Sequence, residues 1–185
     1  MQILSQQGTV IGTGNPGMQK MVAARPQVFV VAPESVEEFQ IDALCLEAFK
    51  DPPRSTGEGK HKIKRITRNK KILKLLKAIR EIEEEISGKI ISVQGDRFQA
   101  RPMSQDLSEL ARVSKYSRGR GGKFVVKLAD TVIQCALWQI TDKLDFDKFA
   151  KVVRADSAEA RERLKEVAKY ASIILRKAGL KPRIT

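Results

Sequence analysis

Aromatic residues make up only 5% of this 185-residue chain, with one Trp and two Tyr. Any core must therefore be built mostly from Leu, Ile, Val and Ala. Histidine occurs once, at His61, so a His-based catalytic dyad must use that residue or not exist. Flanked by Lys60 and Lys62, His61 reads as an added phosphate donor and not as a general base. Cysteine occurs twice, at Cys45 and Cys135, with no neighbouring Cys or His at metal-ligand spacing. Each lies in an apolar pattern, which predicts two buried thiols in a reducing compartment.

Long hydrophobic runs are missing as well. The most apolar stretch, Phe124 to Ile140, is interrupted by Lys127 and Asp130 and is too short to span a bilayer. The opening residues Met1 to Gln7 lack a basic segment followed by a long apolar core, so no secretory signal is expected and the expected location is cytoplasmic. No nucleophile–base signature is visible, so the expectation is a protein without catalytic activity or cofactor. The Gly12-Thr-Gly14-Asn-Pro-Gly17 stretch matches the bare GxGxxG pattern of dinucleotide sites. Pro26 follows too soon for the helix of a βαβ unit, so the stretch reads as an irregular arm.

The most telling absence is of acids. Between Lys60 and Arg80 there are ten Lys or Arg residues and no Asp or Glu. The net charge is +13 for the whole chain, and it is unevenly distributed. Residues 1–56 carry a net −2, whereas residues 57–185 carry +15. The composition changes at the linker-like DPPRSTGEGK stretch, residues 51–60. This divides the chain into an acidic N-terminal arm or subdomain, 1–56, and a basic helical nucleic-acid-binding domain, 57–185. Self-repulsion on that scale calls for a counter-charged partner, and a polyanion such as DNA or RNA fits the clustering.

Periodicity predicts a mainly α fold: a compact helical bundle with one small β-hairpin and an irregular N-terminal arm. Gln27–Ala32 reads as a short strand, and Ser35 with Glu38 forms a capping box opening a helix that runs toward Asp51. Ile72, Leu75, Leu76, Ile79, Ile82 and Ile86 share one face of a helix from about Thr67 to Ser87, with Gly88 as its stop. Runs on either side of Gly95-Asp96 predict the hairpin. Ser104 caps a helix reaching about Ser114, and a helical spacing covers Val125 to Ile140, with a strand as the alternative at Phe124–Val126. A shorter helix follows from Asp142 to Arg154. Asp156 or Ser157 caps the last helix, which Gly179 ends.

The helix from Thr67 carries its charges against its own dipole. Arg68, Lys70, Lys71 and Lys74 come early and Glu81, Glu83, Glu84 and Glu85 come late, whereas the dipole favours the reverse by about 0.3–1 kcal/mol per charge. Phosphates near the N-terminal turns would compensate both the side chains and the helix end. The expected phosphate-binding set is therefore Lys60, Lys62, Lys64, Arg65, Arg68, Lys70, Lys71, Lys74 and Lys77. A second set lies around the Arg/Gly loop: Arg112, Lys115, Arg118, Arg120 and Lys123, with Tyr116 placed to stack a base. Arg176, Lys177, Lys181 and Arg183 suit a helix C-terminus.

The function predicted is non-catalytic binding of nucleic acid, largely without sequence preference. The alternatives are a structural or adaptor subunit of a larger protein or nucleoprotein assembly, whose partner grips the N-terminal part, and a metal-dependent nuclease using Asp142, Asp145 or Asp147. A helix-turn-helix over Lys143–Lys177 is disfavoured, because its second helix opens with Glu159 and Glu162, which repel phosphates. Phe39, Phe49 and Trp138 lie among apolar residues and are assigned to packing.

Overall fold

A computed structural model describes residues 2–12, 19–30, 42–50, 62–93, 97–118 and 124–184. In chain order the elements begin with β1 (Gln2–Ser5), β2 (Thr9–Gly12), β3 (Met21–Ala23), β4 (Gln27–Val30), β5 (Ala43–Cys45) and β6 (Lys62–Ile66). Then come α1 (Lys70–Lys89), β7 (Ile90–Val93), β8 (Arg97–Ala100), α2 (Gln105–Arg112), β9 (Ser114–Arg118) and β10 (Phe124–Leu128). The chain closes with α3 (Asp130–Thr141), α4 (Phe146–Val152) and α5 (Ala158–Lys177). No helix among the described residues is long and apolar enough to cross a membrane.

The expected helices are present, but the fold mixes five helices with ten strands among the described residues and is not a helical bundle with a single hairpin. A four-stranded antiparallel sheet, in the order β5-β3-β2-β6, is joined by three two-stranded pairs, β1–β4, β7–β8 and β9–β10. The predicted irregular N-terminal arm is thus largely strand where it is described. Ala43–Cys45, expected within a helix, pairs instead with Met21–Ala23, and Leu44 meets Val22 in the register. Tertiary pairing overrides a local helical pattern here. The free edge of β5 is covered by Gln134 of α3, whose side chain accepts from Cys45 N at 2.9 Å and donates to Cys45 O. Lys62–Ile66, expected only as a charge run, pairs with β2. Ser114, expected at a helix end, and Lys115–Arg118, expected as loop, form one strand that pairs with the β-branched start of the next segment, so α3 begins only at Asp130. Gly88 lies inside α1 and does not end it. The helix predicted from Ser35 and the turn at Gly95-Asp96 lie partly or wholly outside the described residues.

Local capping matches the sequence where it is polar and short-range. Ser104 accepts from Leu107 N, and Ser157 from Ala160 N at 3.0 Å. Gly179 takes a left-handed φ of +66° just beyond α5, and Leu180 N closes back on Leu175 O.

One hydrophobic cluster joins the elements. α1 buries Ile72, Leu75, Leu76, Ile79, Ile82 and Ile86 against β10, α3 and α5, while α3 packs along α5. Val22 and Leu44 of the sheet belong to the same cluster. The sheet itself crosses position 56/57, since β6 pairs with β2. α1 thus lays one face on the core and leaves the other exposed, and its N-terminal turn follows directly after the edge strand β6.

Candidate nucleic-acid interface

Lys60, Arg120 and Lys123 lie outside the described residues, as does His61. Lys62, Lys64 and Arg65 sit in β6, the sheet's edge strand, and lead straight into α1. Arg68, Lys70, Lys71, Lys74 and Lys77 are all exposed. Lys70, Lys74 and Lys77 follow one another at helical spacing on the side away from Leu75, Leu76 and Ile79. Asn69 sets the start of this helix: its side-chain oxygen accepts from Lys71 N at 3.0 Å and from Ile72 N at 3.4 Å. The cap thus takes up two of the free amides at the helix start, and the attraction for an anion rests mainly on the side chains.

The reversed charge pattern of α1 divides into two halves with different explanations. The late acids all have partners. Glu81 lies 3.6 Å from Lys77, Glu84 3.7 Å from Arg80, and Glu85 3.8 Å from Lys177. Glu83 is buried, accepts from Leu128 N at 2.8 Å, and pairs with Arg25. Arg25 bridges from there to Asp42 at 2.7 Å. Burial opposes the charge on Arg25, but its bonds to Glu83 and Asp42 outweigh that and raise its pKa. The early bases have no such counterpart. The first turn contains no acid, and among the described residues Arg68, Lys70, Lys71 and Lys74 form no ion pair.

The second expected group lies on the β9–β10 hairpin. Lys115 stands directly opposite Lys127, a like-charge pairing that costs stability unless it is relieved. Asp42 relieves one side, at 3.6 Å from Lys127. Arg112 is exposed at the end of α2, and Arg118 closes the ladder opposite Phe124. Tyr116 is exposed, but its hydroxyl donates to Ala111 O, which ties the ring to the end of α2; partial burial raises its pKa.

The hairpin lies beside the second half of α1, with Leu128 N bonded to Glu83 and Val126 N to Ser87 Oγ at 3.2 Å. From Lys70 to Glu83 the helix rises roughly 20 Å at about 1.5 Å per residue. The early lysines and Lys115 thus sit toward opposite ends of α1, and the described residues do not merge them into one patch.

The carboxylates considered for metal have structural employment. Asp142 accepts from Ala48 N at 3.2 Å and from Thr141 Oγ1 at 2.8 Å. Asp145 caps α4 through Lys148 N, a bond that helps hold its pKa below the usual carboxylate range. Asp147 faces Arg161 at 3.7 Å. Among the described residues no three His, Cys, Asp or Glu side chains converge as metal ligands. On α5, Glu159 pairs with Arg163 and Glu162 with Lys165.

One residue assigned to packing is placed otherwise. Phe49 is 62% exposed, the most exposed large hydrophobic side chain among the described residues. Its sequence setting beside Leu44 and Leu46 hides this. The signal that was present is the adjoining Lys50-Asp-Pro, which marks a surface turn. Trp138, by contrast, packs edge-on against Phe149 with centroids 6.3 Å apart. The chain matches no protein-family model, no curated protein and no solved structure.

Proposed function

We propose that this chain is a non-catalytic nucleic-acid-binding protein that grips phosphates through the first turns of α1, largely without sequence preference. The observation that supports this is a contrast within one helix: Lys77 and Arg80 are each matched by a carboxylate, whereas Arg68, Lys70, Lys71 and Lys74 are exposed and unmatched among the described residues. Four cations within seven residues form a dense positive site, and β6 brings Lys62, Lys64 and Arg65 to the same end of the helix. A polyphosphate backbone is the complement of such a site. Lys115 and Arg112 form a separate, weaker contact farther along α1.

The test is charge reversal at Lys70, Lys71 and Lys74, compared with reversal of the ion-paired Arg163 and Lys165 on α5. Gel shifts with single-stranded DNA, duplex DNA and RNA should weaken by at least about tenfold, or roughly 1.4 kcal/mol, for the first variant only. Equal loss in both variants, or in neither, refutes the assignment.

A second reading, an adaptor subunit, is supported by a different feature. A groove of about 920 Å³ is lined by apolar side chains such as Leu44, Trp138, Phe149 and Leu164 together with the charged Asp42, Lys115, Lys127 and Asp130. A protein partner seated there would bind independently of the α1 lysines, and cross-linking with the triple variant separates the two readings.

A further inference from the structure

A second cationic site lies away from α1. Strands β5 and β6 are the two edges of the four-stranded sheet, and β5 ends at the end of the sheet opposite to that at which β6 ends. α1 starts just after β6, whereas residues 46–50 turn off β5 at the diagonally opposite corner. There, a cavity of about 850 Å³ opens between this turn, α3 and α4. That volume is within the roughly 300–1,000 Å³ typical of small-molecule sites. Its wall carries Lys50, Lys148, Lys151 and Arg154, and no carboxylate is among the described residues lining it. Lys50 is occupied by Glu47 at 2.7 Å and Lys148 by Asp145 at 3.2 Å. Lys151 and Arg154 form no ion pair among the described residues.

Phe49 stands at this cavity on a turn that is held from several sides. Leu46 N donates to Lys20 O at 2.7 Å, Ala48 N to Asp142, Lys20 N to Glu47 at 2.9 Å, and Gln19 Nε2 to Lys50 O. These bonds fix the backbone of the turn, and the exposed Phe49 ring that it carries offers a face to a flat partner. Two lining residues also bear buried polar atoms without a hydrogen-bond partner among the described residues, the acceptor Gln19 Oε1 and the donor Trp138 Nε1. Arg154 completes the set. It follows the C-cap of α4 with a left-handed φ of +55°, as Lys143 follows that of α3 at +54°.

We infer that this cavity binds a nucleotide unit, whether free or as part of a strand. Phe49 takes the face of the base, and Lys151 and Arg154 take the phosphate. An inorganic anion has no use for Phe49, and an acidic peptide lacks the flat face. The site is independent of the α1 reading, because none of its residues belongs to that helix.

The chain's single tryptophan lines both this cavity and the groove of about 920 Å³, so a change in Trp138 emission that is lost in Phe49→Ala reports occupancy of this cavity. The full chain is titrated with ATP, with a thymidine pentanucleotide and with inorganic triphosphate, with equilibrium dialysis alongside fluorescence. Saturable binding of ATP or the pentanucleotide is expected, weakened at least tenfold in Phe49→Ala and in Lys151→Ala/Arg154→Ala, and unchanged for ATP in Lys70→Glu/Lys74→Glu. Preference for the pentanucleotide over ATP marks a strand site, and the reverse marks a free-nucleotide site. Phe49 is exposed, so its variant should keep the parent melting temperature. No saturable binding of either nucleotide by dialysis, or triphosphate binding equally well with no effect of Phe49→Ala, overturns the proposal. Oligonucleotide binding that depends only on the α1 lysines leaves the earlier reading standing while this one fails.

Discussion

At the scale of single residues, the most consequential group is buried Glu83. Its carboxylate sits in the core-facing side of α1, takes the Leu128 amide, and is balanced by Arg25 from the connection between β3 and β4. Removing one partner of a buried pair leaves an uncompensated charge, which costs about 3–5 kcal/mol. Arg25→Met is therefore expected to lower stability by about 3 kcal/mol in urea unfolding. Lys77→Met, which breaks only an exposed pair, should cost no more than about 1 kcal/mol. Equal effects would show that the bridge between the N-terminal strands and α1 is incidental.

Cys135 supplies a pH signature. Burial pushes its thiol up to about 12, against a small opposing effect of the Gln139 amide, and burial raises Cys45 as well. The folded chain keeps these protons after the unfolded chain has lost them. Unfolding thus releases protons above the ordinary thiol range, and stability should fall as pH rises from about 9 toward 12. Cys135→Ala should flatten that decline in melting temperature. At neutral pH a thiol reagent should modify half-buried Cys45 before Cys135 in the native protein.

At the scale of elements, α1 combines three tasks: an apolar face for the core, acids for internal pairing, and an unmatched cationic start. The cap at Asn69 keeps that start helical despite its repulsion. Asn69→Ala should cost about 1 kcal/mol, read as a lower melting temperature. Added oligonucleotide should recover part of that loss, since a ligand binding only the folded chain raises its stability.

Elements differed in how far the sequence revealed them. The helices α1, α2 and α5 were readable because their apolar period and their caps at Ser104, Ser157 and Gly179 are local. The strands were not. Ile11 pairs with Ile63 and Leu44 with Val22, and nothing in three- to five-residue segments announces partners so distant. Lys62–Ile66 read as a charge run because its alternation is carried by cations. The cationic start of α1 was legible as an acid-free run, but the partners of its late acids were not, because Arg25 and Lys177 come from elsewhere in the chain. Phe49 looked like core for a related reason: its exposure is decided by Asp142 and Gln19, which fix the turn from outside.

At the scale of the molecule, the account depends on where uncompensated positive charge gathers. Strands from residues 1–50 join the basic body through the β2–β6 pairing, the Arg25 bridge and the Gln7 side chain, which donates to Leu76 O at 2.8 Å. Among the described residues, unmatched bases stand at separate places on this frame, including the start of α1, the hairpin with Lys115, the Lys151–Arg154 corner and the C-terminal Arg176, Lys181 and Arg183. Only the first concentrates four of them within two helical turns. It should dominate the electrostatic part of binding.

The direct test is the salt dependence of oligonucleotide affinity in the parent chain and in Lys70→Glu/Lys71→Glu/Lys74→Glu. Each phosphate neutralised contributes roughly 0.7 to 0.9 to the slope of log affinity against log salt. Loss of three contacts should flatten the slope by about 2 to 3, with the variant still folded. An unchanged slope would contradict the claim that the start of α1 holds the phosphates.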